Sequence, residues 1–172
     1  MIIVGSATRN SSNGKLAALI QRDTAEIFDC IIFDDLRSLP HFDPEQSIEN
    51  TPSQIVKIRE EIEKAEGVII CTPEYVFSIP SGLKNMIEWC VSTTVFSDKP
   101  LGIITASAHG KKGHDELKMI MQTVMADFND STTLLISGIR GKLSERGELL
   151  DDKTRDEVRN FTIGFQRLVE GL

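Results

Sequence analysis

Hydrophobic residues follow two alternating patterns along this chain. Short, continuous apolar runs are typical of strands buried on both faces, and here they occupy residues 2–4, 30–33, 68–71, 101–106 and 132–136. Between these runs, apolar residues recur every three or four positions, as in amphipathic helices, beginning near Leu16, Ile55, Leu83, Leu117 and Val158. This alternation predicts βαβ units with right-handed crossovers and a mostly parallel sheet.

Five predicted strands of this kind indicate a flavodoxin-like α/β fold. We expect three layers, with a five-stranded parallel sheet in the order 2-1-3-4-5 and helices on both faces. The helix with the clearest start follows Thr51, which is expected to cap it, with Pro52 in the first turn and Gln54 completing a capping box. A further helical stripe is expected to run from Leu117 to Phe128. Residues 137–152 are rich in glycine and charge and are predicted to form a connecting loop.

Length and composition narrow the class of protein. The 172 residues fit one domain, residues 1–172, and show no shift in composition that would divide it. The first residues are those of a strand rather than an export signal, and no apolar run approaches the ~20 residues that cross a bilayer. Cys30, Cys71 and Cys90 form no CxxC pair, which suits reduced thiols in a core. We therefore expect a cytoplasmic protein without membrane insertion.

The charge of the chain bears on its partners. A formal net charge of −7 argues against nucleic acid as a partner, because nucleic-acid binding depends on clustered Lys and Arg. His41, His109 and His114 show no spacing typical of metal ligands, so no metal site is expected. Any anion site must therefore be local.

Three loops are expected to meet at one edge of the predicted sheet. In an open parallel sheet, ligands bind outside the carboxyl ends of the strands, where the strand order reverses. The loops that follow the first, third and fourth strands lie there, at residues 5–13, 72–81 and 105–113. They contain most of the chemically unusual residues of the chain, so we place the candidate site among them.

The first loop has the composition of a phosphate site. It contains many hydroxyl and amide side chains and one guanidinium, Arg9, just before a predicted helix N-terminus, where backbone N–H groups and the helix dipole favour an anion. The alternative is an ordinary loop in which Asn13 caps the helix. A Walker A loop would need Gly at Arg9, and a dinucleotide fingerprint would need Gly at Ala7 and Asn10. The pattern that remains is the one expected of a flavin mononucleotide.

The second loop combines apolar and aromatic side chains with a restricted backbone. Pro73 and Pro80 bracket it, and Tyr75 and Phe77 lie between them. A planar ring is one ligand that such a loop accommodates. The residue types are equally compatible with a turn that buries both aromatic side chains in the core.

Two stretches of the sequence resemble the NADPH-dependent FMN reductase family, which includes quinone, azo-dye and chromate reductases. Residues 72–89 read TPEYVFSIPSGLKNMIEW and are similar to its signature, and residues 5–17 are similar to its N-terminal loop. The family commonly has Arg where Thr8 stands and Asn where Val76 stands. The order and separation of the two motifs match, so the resemblance covers essentially the whole chain.

The resemblance implies a cofactor, a reaction and a set of binding residues. It implies that the FMN phosphate is held by Ser6, Arg9, Ser11, Ser12 and Asn13. It also implies that the flavin and its ribityl chain contact Pro73, Glu74, Tyr75, Val76, Phe77 and Ser107. NADPH would donate a hydride to FMN, which would pass electrons to a small acceptor, and no side chain is expected to act as a catalytic base because the flavin carries the chemistry.

The resemblance also implies a homodimer or homotetramer. Trp89, Val95 and Phe96 are apolar residues that suit either such an interface or the core. The main alternative function is a flavodoxin-type electron carrier, which binds FMN but has no turnover with NAD(P)H. A phosphoacceptor receiver domain is disfavoured, since Gly5 and Ser6 stand where acidic residues would be needed.

Overall fold

Five strands and five α-helices alternate along the chain in the computed structural model, which describes residues 1–172. The strands are β1 (Ile2–Val4), β2 (Ile32–Phe33), β3 (Val68–Thr72), β4 (Leu101–Ser107) and β5 (Thr133–Ser137). The helices are α1 (Ser12–Asp23), α2 (Ser53–Lys64), α3 (Ser81–Cys90), α4 (Lys111–Thr123) and α5 (Asp152–Glu170). Short 3₁₀ helices occur at Leu36–Ser38, Asp130–Thr132 and Ile139–Gly141.

The five strands form one parallel sheet in the order β2-β1-β3-β4-β5, which confirms the predicted flavodoxin-like topology. The strand order reverses between β1 and β3, where Val4 pairs with Cys71. The loops after β1 and β3 therefore leave the same edge of the sheet side by side, and the helices that follow them diverge to opposite faces. This divergence opens a crevice at that edge of the sheet.

Each face of the sheet buries its own hydrophobic cluster. Ile3, Ile70 and Ile103 belong to the cluster shared with α2, α3 and α4, whereas Ile2 and Ile69 belong to the one shared with α1 and α5. Neighbouring residues of a strand point to opposite faces, so a strand covered on both sides must be apolar throughout. The continuous apolar runs of the sequence are explained by this double burial.

Trp89 and Phe96 belong to the core and not to the surface. Trp89 is completely buried and Phe96 is 2% exposed, while Val95 is half-buried and packs against the same cluster. The Trp89 indole N–H donates to the Pro40 carbonyl over 2.9 Å, and its ring meets Phe42 edge-on. Of the two alternatives for Trp89 and Phe96, the core is therefore the one observed, because both side chains pack inside the cluster that covers this face of the sheet.

Two helix boundaries differ from the sequence prediction. Helix α2 begins after Pro52 without a side-chain cap, because Pro52 and not Thr51 occupies the N-cap position and has no side-chain acceptor, while the Thr51 hydroxyl donates to the Gln46 carbonyl over 2.9 Å. Helix α4 ends at Thr123, since the backbone turns at Met125 with a φ of +59°. Phe128 nevertheless packs against the core cluster from outside the helix. The apolar spacing continues past the end of α4 because the residues after the helix still pack against the core.

None of the helices combines the length and the hydrophobicity that a membrane-spanning helix requires.

Candidate active site

A cleft of about 700 Å³ lies at the carboxyl ends of the strands, beside the reversal of strand order. Its size is within the usual range for small-molecule sites. The three predicted loops line it, and so does the segment that follows β5. The lining residues are Ser6, Thr8, Asn10–Asn13, Pro73–Tyr75, Ala106–Ala108 and Gly138–Gly141. The expected convergence of the first three loops is therefore confirmed by the fold.

The loop after β1 presents the N-terminus of α1 to the cleft. Ser11 is the N-cap, and its Oγ accepts the Gly14 N–H over 3.0 Å. The N–H groups of Ser12 and Asn13 have no partner within the helix. The first turn contains no acidic residue. An anion at this end of the cleft would meet free N–H groups, the positive end of the helix dipole and no opposing carboxylate.

Asn13 is placed differently from the other polar residues of this loop. It is 3% exposed, and its Nδ2 donates to the Ala106 carbonyl of β4 over 3.0 Å. The Cys71 thiol donates to its Oδ1 over 3.4 Å, and burial raises the pKa of this thiol so that it keeps its proton. The Asn13 side chain therefore connects β3 and β4 beneath the cleft. Ser11, and not Asn13, caps the helix, so that alternative for Asn13 is wrong.

Arg9 and Arg140 lie at two different hollows that border the first loop. Arg9 is exposed and lies at a neighbouring hollow of about 40 Å³, which it shares with Asp34 and Arg37. Arg140, from the 3₁₀ helix after β5, lines the main cleft directly. Gly138 allows this segment to turn, with a φ of +71° and its N–H donating to the Ser107 carbonyl over 2.8 Å.

Arg140 is a residue that the sequence analysis missed. It lies just after a predicted strand, between Gly138 and Gly141, in the stretch interpreted as a connecting loop. Its position after the carboxyl end of β5 was the available signal, because every strand of a parallel sheet ends at the same edge. Only the pairing of β5 with β4 brings it to the cleft.

The loop after β3 contributes its first three residues to the cleft and projects its tip into solvent. Pro73, Glu74 and Tyr75 line the cleft, and the Tyr75 hydroxyl lies 3.4 Å from Ser6 Oγ. The side chains at the tip, Val76 and Phe77, are 93% and 74% exposed. Since Tyr75 is also 41% exposed, the alternative in which Tyr75 and Phe77 are core residues is wrong.

Glu74 and Ser107 connect the neighbouring loops. The Glu74 carboxylate accepts the Gly113 N–H in the first turn of α4 over 2.8 Å. The Ser107 hydroxyl, at the end of β4, lies 3.4 Å from the Glu74 carbonyl. A carboxylate at a helix N-terminus is favoured by the dipole, so Glu74 stabilises the junction between this loop and α4. Glu74 is the only acidic residue that lines the cleft, and its carboxylate is engaged at α4. No other carboxylate of the cleft lining can neutralise Arg140.

His114 is a buried histidine beneath the cleft. It lies in α4, and its Nδ1 is 3.0 Å from the Thr105 hydroxyl of β4. Burial lowers the pKa of His114 from its usual 6.5, and Lys118 and Lys111 lower it further, whereas Asp115 opposes them. The folded protein thus holds this imidazole neutral at neutral pH.

The depressed pKa of His114 predicts a specific loss of stability in acid. As the pH falls below about 6.5, the unfolded chain binds a proton at this position while the folded chain resists it, so unfolding becomes easier by at most about 1.4 kcal/mol per pH unit. Above 6.5 the contribution is constant. Urea denaturation between pH 5 and pH 8 measures this slope. The His114→Gln variant should show a shallower slope, and an equal slope in both proteins would contradict the assignment.

The cleft combines groups that favour an anion with apolar and aromatic side chains. The N-terminus of α1 offers free N–H groups, Pro73 and Tyr75 line the cleft, and Arg140 stands on the wall formed after β5. No three His, Cys, Asp or Glu side chains are grouped as metal ligands would be. A phosphate joined to a planar ring fits this combination of lining groups.

Comparison with known proteins identifies the family of this chain. The family model of NADPH-dependent FMN reductases matches residues 1–136. A quinone reductase of Escherichia coli is 26% identical over 98% of this chain and 93% of its own length. An NAD(P)H-dependent FMN reductase of Pseudomonas aeruginosa is 28% identical over 80% of this chain and 77% of its own length.

Among solved structures, the flavoenzyme FerB of Paracoccus denitrificans, an NAD(P)H:acceptor oxidoreductase, superposes with a TM-score of 0.78 at 22% identity. The match covers 99% of this chain and 96% of that one, and it supports the shared fold. The family model extends over all three predicted loops and the first four strands. This chain belongs to the NADPH-dependent FMN reductase family and is an oxidoreductase.

Proposed function

We propose that this protein binds FMN in the cleft at the carboxyl ends of the strands and uses NAD(P)H to reduce quinones or similar small acceptors. The observation that supports this most is the N-terminus of α1, which offers the free N–H groups of Ser12 and Asn13 and carries no acidic residue, in a cleft of about 700 Å³ within a chain of this family. Bound FMN would supply the redox chemistry, accepting a hydride from NAD(P)H and passing electrons to the acceptor.

The residues of the cleft have distinct roles in this proposal. The N–H groups of Ser12 and Asn13, with the Ser6 and Ser11 hydroxyls, hold the phosphate. Pro73 and Tyr75 line the ring, and Ser107 contacts it. Arg140 places a positive charge where it counters negative charge on the reduced ring. No side chain in the cleft needs to act as a proton donor for hydride transfer.

Hydride acceptance distinguishes this proposal from an electron carrier of the flavodoxin type. Under anaerobic conditions, NADPH added to the FMN-loaded protein should bleach the visible flavin absorbance, and a quinone added afterwards should restore it. Parallel assays with NADH, azo compounds and free FMN would define donor and acceptor. A protein that binds FMN but is not bleached by NADPH or NADH would be a carrier and not a reductase.

Arg9 is the guanidinium that the sequence assigned to the phosphate, and we keep this as a prediction. Its flexible, exposed side chain lies at the hollow behind the phosphate loop. Replacing Arg9 with Ala should weaken FMN binding about tenfold, the worth of one charge-assisted hydrogen bond. Fluorescence titration of apoprotein with FMN measures the dissociation constant, with Arg167→Ala in α5 as control. Unchanged affinity for Arg9→Ala together with a loss for Arg140→Ala would transfer the role to Arg140.

We also propose that the protein is a single-domain cytoplasmic homodimer or homotetramer. The exposed side chains of Val76 and Phe77 at the mouth of the cleft suit an arrangement in which the flavin lies near a subunit boundary. Sedimentation equilibrium of the purified protein would measure its mass in solution. A monomer at micromolar concentration would contradict this part of the proposal.

A further inference from the structure

The tip of the loop after β3 has an unfavourable backbone conformation. Val76 and Phe77 have φ angles of +52° and +60°, in the left-handed region. The Tyr75 N–H donates to the Ser78 carbonyl over 2.9 Å, and the Ser78 N–H returns a bond to the Tyr75 carbonyl over 3.0 Å. Such two-residue turns usually contain Asn or Gly, and a β-branched residue is strongly disfavoured there. Something outside the turn must therefore hold it.

Two carboxylates connect this turn to helix α4. On the N-terminal side of the turn, Glu74 accepts the Gly113 N–H over 2.8 Å. On the other side, Glu116 reaches back from α4, and its Oε2 accepts the Ile79 N–H over 3.1 Å. In the first bond the carboxylate belongs to the loop and the N–H to the helix, and in the second the carboxylate belongs to the helix and the N–H to the loop. Together they anchor both ends of residues 75–78 to one helix.

Close packing reinforces this attachment. A Cβ atom at Gly113 would lie 3.1 Å from the Ser78 carbonyl oxygen and 3.2 Å from the Glu74 Cβ. The turn therefore rests directly on the first turn of α4. Its side chains give it little other support, because Val76 and Phe77 project into solvent. The attachment to α4 is the part of the structure that opposes relaxation of the left-handed backbone.

We propose that Glu116 is a positioning residue that holds the Tyr75–Ser78 turn, and with it Tyr75, in the conformation that receives the flavin. This inference rests on the proposed function. Glu116 does not line the cleft itself, and it acts through the Ile79 N–H. Without it, Val76 and Phe77 relax toward negative φ, the Tyr75–Ser78 pair opens, and ligand binding must reorder the turn.

The first test is made on the apoprotein and does not need the flavin. Native-state hydrogen exchange of the Ser78 and Ile79 amides should be about tenfold faster in Glu116→Ala than in wild type, because the turn opens more often. Glu116→Gln retains an oxygen that accepts the Ile79 N–H, so its exchange should stay close to wild type. Gln122→Ala, an exposed substitution on the same helix, is the matched control.

The second test asks whether the turn serves the site. Glu116→Ala should raise the FMN dissociation constant about tenfold while leaving the melting temperature within a few degrees of wild type. In a Val76→Asn background the same substitution should change the dissociation constant much less. Asn tolerates the left-handed region, so the turn no longer depends on the Glu116 hydrogen bond. This rescue would not occur if Glu116 stabilised only the helix.

Each outcome decides one part of the inference. Wild-type exchange in Glu116→Ala would show that Glu116 does not hold the turn. Faster exchange with unchanged FMN affinity would show that the turn does not position the site, and an equal effect of Glu116→Ala in the Val76→Asn background would refute the role of the left-handed backbone. Failure of the wild-type protein to bind FMN would overturn the proposed function, and the exchange data would still report whether Glu116 holds the turn.

Discussion

Replacing Ser12 with Asp should nearly abolish FMN binding while making the apoprotein slightly more stable. Ser12 is the first residue of α1 and lines the cleft. A carboxylate there is favoured by the helix dipole, which adds about 0.3–1 kcal/mol to the free energy of unfolding. The same carboxylate would face the phosphate at short range. Two like charges about 4 Å apart at an effective dielectric constant of about 20 repel by about 4 kcal/mol, so the affinity should fall by at least a hundredfold.

Ser53 offers a matched control for this substitution. It is the first residue of α2, is exposed, and likewise has no acidic residue in its first helical turn. Ser53→Asp should raise stability by a similar amount and leave FMN binding unchanged. Fluorescence titration with FMN and urea denaturation of the apoproteins measure the two effects. If Ser12→Asp bound FMN as the wild type does, the phosphate site would have to lie away from α1.

Replacing Trp89 with Ala should destabilise the fold by about 3–5 kcal/mol, among the largest losses that a single core substitution causes. The ring is completely buried, packs edge-on against Phe42 at 5.4 Å between centroids, and donates to the Pro40 carbonyl. The melting temperature should fall on the order of 10 °C. Trp89→Phe should cost less, because the Asn85 amide also donates to the Pro40 carbonyl over 2.9 Å.

Thermal and urea denaturation at two protein concentrations would test this expectation. A core position loses the same stability at both concentrations, whereas a subunit-contact position would show a loss that depends on concentration. Val91→Ala is the control, since Val91 lies just beyond the same helix and is 63% exposed. A loss below about 1 kcal/mol for Trp89→Ala would show that this part of the core is loosely packed.

Most of the fold could be predicted because its signals are local. A strand buried on both faces must be apolar at every position, so β3 and β4 stand out in the sequence as uninterrupted runs. Where the signal is not local, prediction failed. Helix α2 begins one residue later than the capping pattern indicated, so Pro52, which has no side-chain acceptor, is its N-cap, and the Thr51 hydroxyl donates to the Gln46 carbonyl. The helical stripe through Phe128 reflected burial and not backbone conformation, so it overran the end of α4.

The candidate site could be predicted loop by loop but not contact by contact. Parallel strands place their following loops at one edge, so the positions of the first three loops followed from topology alone. The direction in which each side chain points could not be derived from the topology. Asn13 has the chemistry of a phosphate ligand, yet its amide is occupied by the Ala106 carbonyl. Glu74 lines the cleft as the sequence indicated, yet its carboxylate is bound at the start of α4.

The amino-acid sequence by itself determined the family, the parallel sheet and the edge at which ligands bind, because these depend on residue types at short spacing. Only the tertiary structure decided the contacts between distant segments. It brought Arg140 into the cleft through the pairing of β5 with β4, buried Trp89, and set Glu116 against the Ile79 N–H. Such contacts join residues far apart in the chain, and their geometry depends on how whole elements pack and not on the residues that flank them.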